Sequence, residues 1–150
     1  MPIPVVIESP YAPKGMKKPE ITKEQFEACS CIGLGECCNL CGDYMDFEEG
    51  LETNIRYCRA AMVDSLKRGE APFASHLLYT QPGVLDDTLP EERKLGINAG
   101  FAWRTMWTKT VVYTDLGTSA GMVAGIKDAV DKGSEVEYRT LGENWGDLLK

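Results

Sequence analysis

The sequence predicts an α/β fold in three layers, with a mostly parallel, Rossmann-like or flavodoxin-like sheet and a cysteine-rich insertion after the first strand. Short β-branched runs alternate four times with stretches of helical periodicity, which implies parallel strands joined by crossover helices. The runs Val5-Val6-Ile7 and Val111-Val112 are apolar without alternation, as in strands covered on both faces. Five of the six cysteines (Cys29, Cys31, Cys37, Cys38 and Cys41) fall within thirteen positions of one poorly periodic stretch. At 150 residues the chain has the length of one domain, 1–150, with the insertion at 12–52.

The first strand is residues 3–8, ended by Ser9-Pro10-Tyr11. The insertion holds Pro13, Gly15, Pro19 and several lysines, and Thr22-Lys23-Glu24-Gln25 reads as the capping box of a short helix. Thr53 or Asn54 caps a helix to about Arg68, with Ile55, Met62, Val63 and Leu66 as its apolar stripe and Gly69 as its stop. A second strand covers 71–75. The polar loop 80–89 turns at Pro82-Gly83. Pro90 opens a helix that reaches about Met106, with Glu91 and Glu92 placed favourably in its first turn. The third strand is 109–114. Ser119 caps a last helix that runs to about Lys132 and stops at Gly133, and a final strand covers 135–139. The tail 141–150 carries Trp145 and Leu148 onto a neighbouring surface.

Composition narrows the function. The formal charge of −7 makes a nucleic-acid polymer a poor partner. No apolar run approaches the ~20 residues of a membrane span, and residues 1–11 show no basic stretch followed by an apolar one, so no secretory signal is expected. Clustered rather than dispersed cysteines point to reduced thiols or a metal site in a cytoplasm, the host's if the chain is phage-encoded. Cys38-Asn39-Leu40-Cys41-Gly42 is a knuckle of the kind used by structural zinc. Cys29 and Cys31, with Cys37 as an alternate, complete a four-thiolate set. An iron–sulfur cluster and unligated thiols are the other readings.

In open parallel sheets, ligands bind beyond the carboxyl ends of the strands. That rule gathers Ser9-Pro10-Tyr11, residues 76–87 and residues 115–122 into one crevice. His76, the only histidine, serves there as acid, base or donor, or else as a packed imidazole. Asp86 and Asp87 orient a ribose hydroxyl or act as acids, or else form a solvated turn that caps the next helix. Tyr11 stacks on a base or is core with a wet tip. The turn from Asp115 through Ser119 and Gly121 to Met122 presents amides at a helix N-terminus, suited to a phosphate or carboxylate. With one histidine, no hydrolase triad is assignable. Gly96 and Gly100, one helical turn apart, admit a close neighbour, either inside the fold or across a subunit interface.

Ser9-Pro10-Tyr11, Asn54-Ile55 with Tyr57-Cys58-Arg59, residues 69–78, Leu85-Asp86-Asp87 with Pro90-Glu91-Glu92-Arg93, and Ser119-Ala120-Gly121-Met122 together resemble the nucleoside 2-deoxyribosyltransferase-like family. They are closest to a small branch common in phages and bacteria. The resemblance spans residues 3–11 and 53–139. It implies enzymes that cleave or transfer the N-glycosidic bond of nucleosides or their monophosphates through a glutamate nucleophile on the last helix. It also implies subunits that pair as homodimers or higher homo-oligomers. By this resemblance Tyr11, Asp86, Asp87 and Asp115 touch the ligand, with Ser9, Asn54 and His76 beside them. Ser119 and the amides around Gly121 and Met122 hold a 5′-oxygen or phosphate. The position expected for the glutamate is Gly125, which cannot attack a sugar. The expectation is therefore a protein that binds a nucleotide or nucleoside derivative without glycosyl transfer; a phage version would sequester a host immune signal. The alternative is an N-glycoside hydrolase or deoxyribosyltransferase using Asp86, Asp87 or Asp115 as base, with His76 or Tyr11 assisting. A third reading makes the insertion a protein-binding module.

Overall fold

The structure, a computed structural model, describes residues 1–31 and 38–150. In chain order it contains β1 (Ile3–Glu8), α1 (Lys23–Glu27), α2 (Asn39–Lys67), β2 (Glu70–Phe73), α3 (Ser75–Leu78), α4 (Pro90–Ala102), β3 (Lys109–Tyr113), α5 (Ala120–Asp131) and β4 (Val136–Arg139). A 3₁₀ turn over Trp145–Leu148 follows. The strands form one all-parallel sheet in the order β2-β1-β3-β4. This is the α/β architecture that strand–helix alternation predicts. The chain divides into two compact units, one of residues 1–11 with 54–150 and one of residues 12–53.

In the sheet unit, one face buries Val5, Ile7, Val111 and Tyr113 with Tyr57, Cys58 and Ala61 of α2 and with Ala74. Strand alternation turns Val6, Glu8, Thr110 and Val112 to the other face, where α5 buries Met122, Gly125 and Ala129. Capping follows the local sequence. Ser119 Oγ accepts from the Met122 amide at 3.2 Å and starts α5. Gly69 and Gly133 take φ of +79° and +72°, the left-handed geometry that ends α2 and α5 without Cβ strain. Trp145 meets Tyr57 edge-on at 5.3 Å, which fixes the tail on the core.

Three boundaries depart from the sequence expectation by more than one residue. First, α2 begins at Asn39, not near Asn54, so the helical half of residues 12–52 has no break at its glycines. Gly50 is small because a Cβ there would lie 2.9 Å from both Pro13 Cβ and Met16 Sδ; it marks close packing inside the second unit. Second, β2 stops at Phe73 and Ser75 opens a single helical turn. Third, α4 stops at Ala102 rather than Met106. There Thr108 Oγ1 accepts from the Thr105 amide at 2.9 Å and donates to the Thr105 carbonyl at 2.8 Å, a local alternative to helix. The Gly96–Gly100 spacing serves packing within the chain. A Cβ at Gly100 would sit 2.6 Å from Ser75 Oγ, and one at Gly96 would sit 3.3 Å from Leu85 Cδ1.

The second unit has little interior. Of its described residues, Pro13 and Cys41 alone are buried. Thr22 and Gln25 make the reciprocal capping bonds, 3.2 and 2.9 Å, that start α1. Phe26 stacks on Tyr44 with ring centroids 4.7 Å apart.

Candidate functional site

The segments leaving β1 and β3, adjacent strands whose connections run to opposite faces, flank the sheet's topological switch point. Beside it, at the carboxyl ends of β1 and β2, lies a cleft of about 480 Å³. Tyr11 and Phe73 give it aromatic surface, Arg59 a cation, and Thr80 and Gln81 hydrogen-bonding groups. A small cavity of about 50 Å³ borders it through Thr80 and is lined by His76, Asp87 and Arg93 among others.

Several predicted site residues come together here. Ser9 Oγ and His76 Nε2 are 2.8 Å apart. Burial pushes the His76 imidazole down to about 4, so it is neutral near pH 7. Tyr11 meets the His76 ring edge-on at 6.4 Å. Arg93 donates to Asp87 at 2.6 Å, and burial raises the Asp87 carboxyl against that cation. A further Arg93 nitrogen lies 3.5 Å from where a Cβ of Gly121 would stand, at the start of α5.

Other candidates hold the fold. Asn54 donates to the Tyr11 carbonyl at 2.8 Å. Asp86 accepts from the amide and hydroxyl of Thr88 at 2.9 and 2.6 Å, a turn ahead of α4. Asp115 accepts from Tyr57 Oη at 2.5 Å and from the Leu141 and Gly142 amides at 2.9 Å. Burial works against its charge, yet the Tyr57 hydroxyl and these amides hold it below the usual carboxylate range. Ser119 and Met122 are spent on capping α5.

Sequence reasoning missed Glu8. Its carboxylate lies over Gly125, where a Cβ would be 2.5 Å from Glu8 Cδ and 2.7 Å from Oε2. Arg104, with a side chain only 1% exposed, pairs with Glu8 Oε1 through Nη2 and with Asp128 Oδ2 through Nη1 at 2.9 Å. Its Nε reaches Thr110 Oγ1 at 3.0 Å. Burial raises the Glu8 carboxyl to about 7, with Arg104 opposing. The available signal was a glutamate closing an otherwise apolar strand, opposite a glycine in the middle of a helix.

In the second unit, the Sγ atoms of Cys29, Cys31, Cys38 and Cys41 all lie within 4.8 Å of one another. Their separations include 3.2 Å (Cys29–Cys31), 3.5 Å (Cys31–Cys41), 3.9 Å (Cys31–Cys38) and 4.0 Å (Cys29–Cys38). These are too long for disulfides, whose sulfurs stand about 2.05 Å apart, and the four thiols are compatible with a structural metal site. The alternate ligand Cys37 lies outside the described residues. Cys58 is separate, buried in the sheet core, with its thiol pushed up to about 12 by burial. Among the described residues no helix is long and apolar enough to cross a membrane.

A family model described as a domain of unknown function, DUF7768, matches residues 37–139. No curated protein and no solved structure matches the chain.

Proposed function

Because the chain belongs to the DUF7768 family, whose description assigns no activity, its role is read from its own geometry, and we propose that it binds a nucleoside or nucleotide derivative, without covalent glycosyl transfer from α5. The cleft of about 480 Å³ carries this reading. Its volume suits a small-molecule ligand. Tyr11 and Phe73 offer faces to a base, Thr80 and Gln81 face the sugar, and Arg59 meets a phosphate. The resemblance to nucleoside 2-deoxyribosyltransferase-like proteins supports the same ligand class. Gly125 supports the absence of a covalent step from α5, since it bears no nucleophile and the Glu8 carboxylate leaves it no room for one. Capture without such turnover is what sequestering a nucleotide signal requires.

Titration calorimetry and thermal shift against nucleosides, their 5′-monophosphates, ADP-ribose and cyclic nucleotides test the reading. At a hundredfold excess over Kd, binding stabilises the fold by about 2.7 kcal/mol. Arg59→Ala should weaken a monophosphate about 10-fold or more while leaving the nucleoside nearly unchanged. No shift with any of these compounds would end the proposal.

Zinc is the proposed occupant of the four-thiolate cluster. A tetrahedral zinc with Zn–S bonds of about 2.3 Å sets its sulfurs roughly 3.8 Å apart, close to the separations above. The metal would be structural, crosslinking a unit with almost no core.

A further inference from the structure

The four thiols of the second unit are unevenly sheltered. Cys41 is buried, Cys29 and Cys31 are half-buried, and Cys38 is exposed. Cys31 stands close to all the others, 3.2 Å from Cys29, 3.5 Å from Cys41 and 3.9 Å from Cys38. The most accessible sulfur therefore has a second sulfur within a short step. Accessible thiolates with a neighbouring cysteine to resolve them are the ones that peroxides oxidise. Little else holds this unit: among its described residues only Pro13 and Cys41 are buried. Cys38 immediately precedes α2 and Cys41 lies in its first turn, so the sulfurs pin the N-terminal half of the helix, residues 39–53, which belongs to this unit. Residues 54–67 of α2 are secured independently, with Tyr57, Cys58 and Ala61 in the sheet core. Where the chain leaves and re-enters the sheet unit, Asn54 donates to the Tyr11 carbonyl at 2.8 Å and closes that unit on itself.

We infer that the thiolate centre is a peroxide-responsive switch: oxidation joins Cys38 to Cys31, expels the metal and melts residues 12–53 while the sheet unit stays folded. The inference rests on the zinc reading above. The oxidant is hydrogen peroxide. The Cys38 thiolate attacks one peroxide oxygen, hydroxide leaves, and Cys38 becomes a sulfenic acid. The Cys31 thiolate then attacks that sulfur, the S–S bond forms, and a second hydroxide leaves. Two electrons pass from the two sulfurs to the peroxide, and two protons from solvent turn both hydroxides into water. A tetrahedral zinc keeps its sulfurs roughly 3.8 Å apart, whereas a disulfide draws two of them to about 2.05 Å. The bonded pair no longer offers two thiolates, so zinc departs as the dication and the thiolates of Cys29 and Cys41 take protons. Dithiol reductant and fresh zinc reverse the change.

The experiment treats the full, zinc-loaded chain with hydrogen peroxide and follows zinc release with a chromogenic chelator. Zinc should leave in step with peroxide consumed, one for one. Glutamyl endopeptidase cleavage after Glu36 separates Cys29 and Cys31 from Cys38 and Cys41, and mass spectrometry should find the two peptides joined through Cys31 and Cys38. Amide exchange should speed about 10-fold or more across residues 39–53. Fluorescence of Trp103, Trp107 and Trp145, all in the sheet unit, should not change. Cys38→His keeps a zinc ligand but removes the attacked sulfur, and should slow release about 10-fold or more. Cys41→His keeps the reacting pair and should release zinc at close to the wild-type rate. Zinc retained under peroxide, or a disulfide that excludes Cys31 or Cys38, would overturn the switch and leave the zinc assignment standing. Release without faster exchange over 39–53 would overturn it equally. A chain that never holds zinc would remove both proposals.

Discussion

The sheet unit and the cysteine unit solve the problem of order by different means. The first encloses a continuous apolar cluster from β1, β3 and α2, with buried tyrosines whose hydroxyls find carboxylates. The second buries only Pro13 and Cys41 among its described residues, yet brings four sulfurs within 4.8 Å. Where apolar area is scarce, cross-links or metals carry stability. The contrast explains why one unit announces itself through periodicity and the other through cysteine spacing and a single capping box.

Metal removal breaks the comparison most sharply. Protein with a zinc-to-chain ratio near one should lose protease resistance across residues 12–53 on chelation or on Cys41→Ser. Amide protection of β1 and β3 should persist. Equal resistance of the metal-free and metal-bound forms would end the zinc assignment. Next in size is Arg104→Leu, which strands Glu8 and Asp128 without their buried partner. It should cost about 3–5 kcal/mol in urea unfolding and leave the metal content unchanged. A variant as stable as wild type would mean the ion group adds nothing to the sheet unit. Smaller again is Gly100→Ala, whose methyl would meet Ser75 Oγ at 2.6 Å and Ser75 Cβ at 2.8 Å. It should cost about 1–3 kcal/mol by overpacking, seen as a lower urea midpoint with unchanged slope. No change there would show that α3 yields freely to α4.

Much of the fold was legible because its determinants are local. Thr22 and Ser119 cap the helices that follow them, Pro90 opens α4, and Gly69 and Gly133 terminate helices. The start of α2 was not legible, since Gly42 and Gly50 look like breakers until Pro13 and Met16 are seen against Gly50. The end of α4 was hidden for a related reason: side-chain bonds between Thr105 and Thr108 compete with the helix, and Arg104 turns inward toward partners far along the chain. At the site, the chain path brought Ser9, His76, Tyr11 and Asp87 into one neighbourhood as the strand-end rule implies. Glu8 escaped because its meaning depends on Gly125 and Arg104, residues 117 and 96 positions away, and no local pattern joins them.

Asp115 has a consequence for anyone ranking positions by intolerance to substitution. Its oxygens receive the Tyr57 hydroxyl and the amides of Leu141 and Gly142, so one carboxylate ties the exit of β3 to the stretch beyond β4. A mutational scan would mark it as severely as any reactive group, although its work is carpentry.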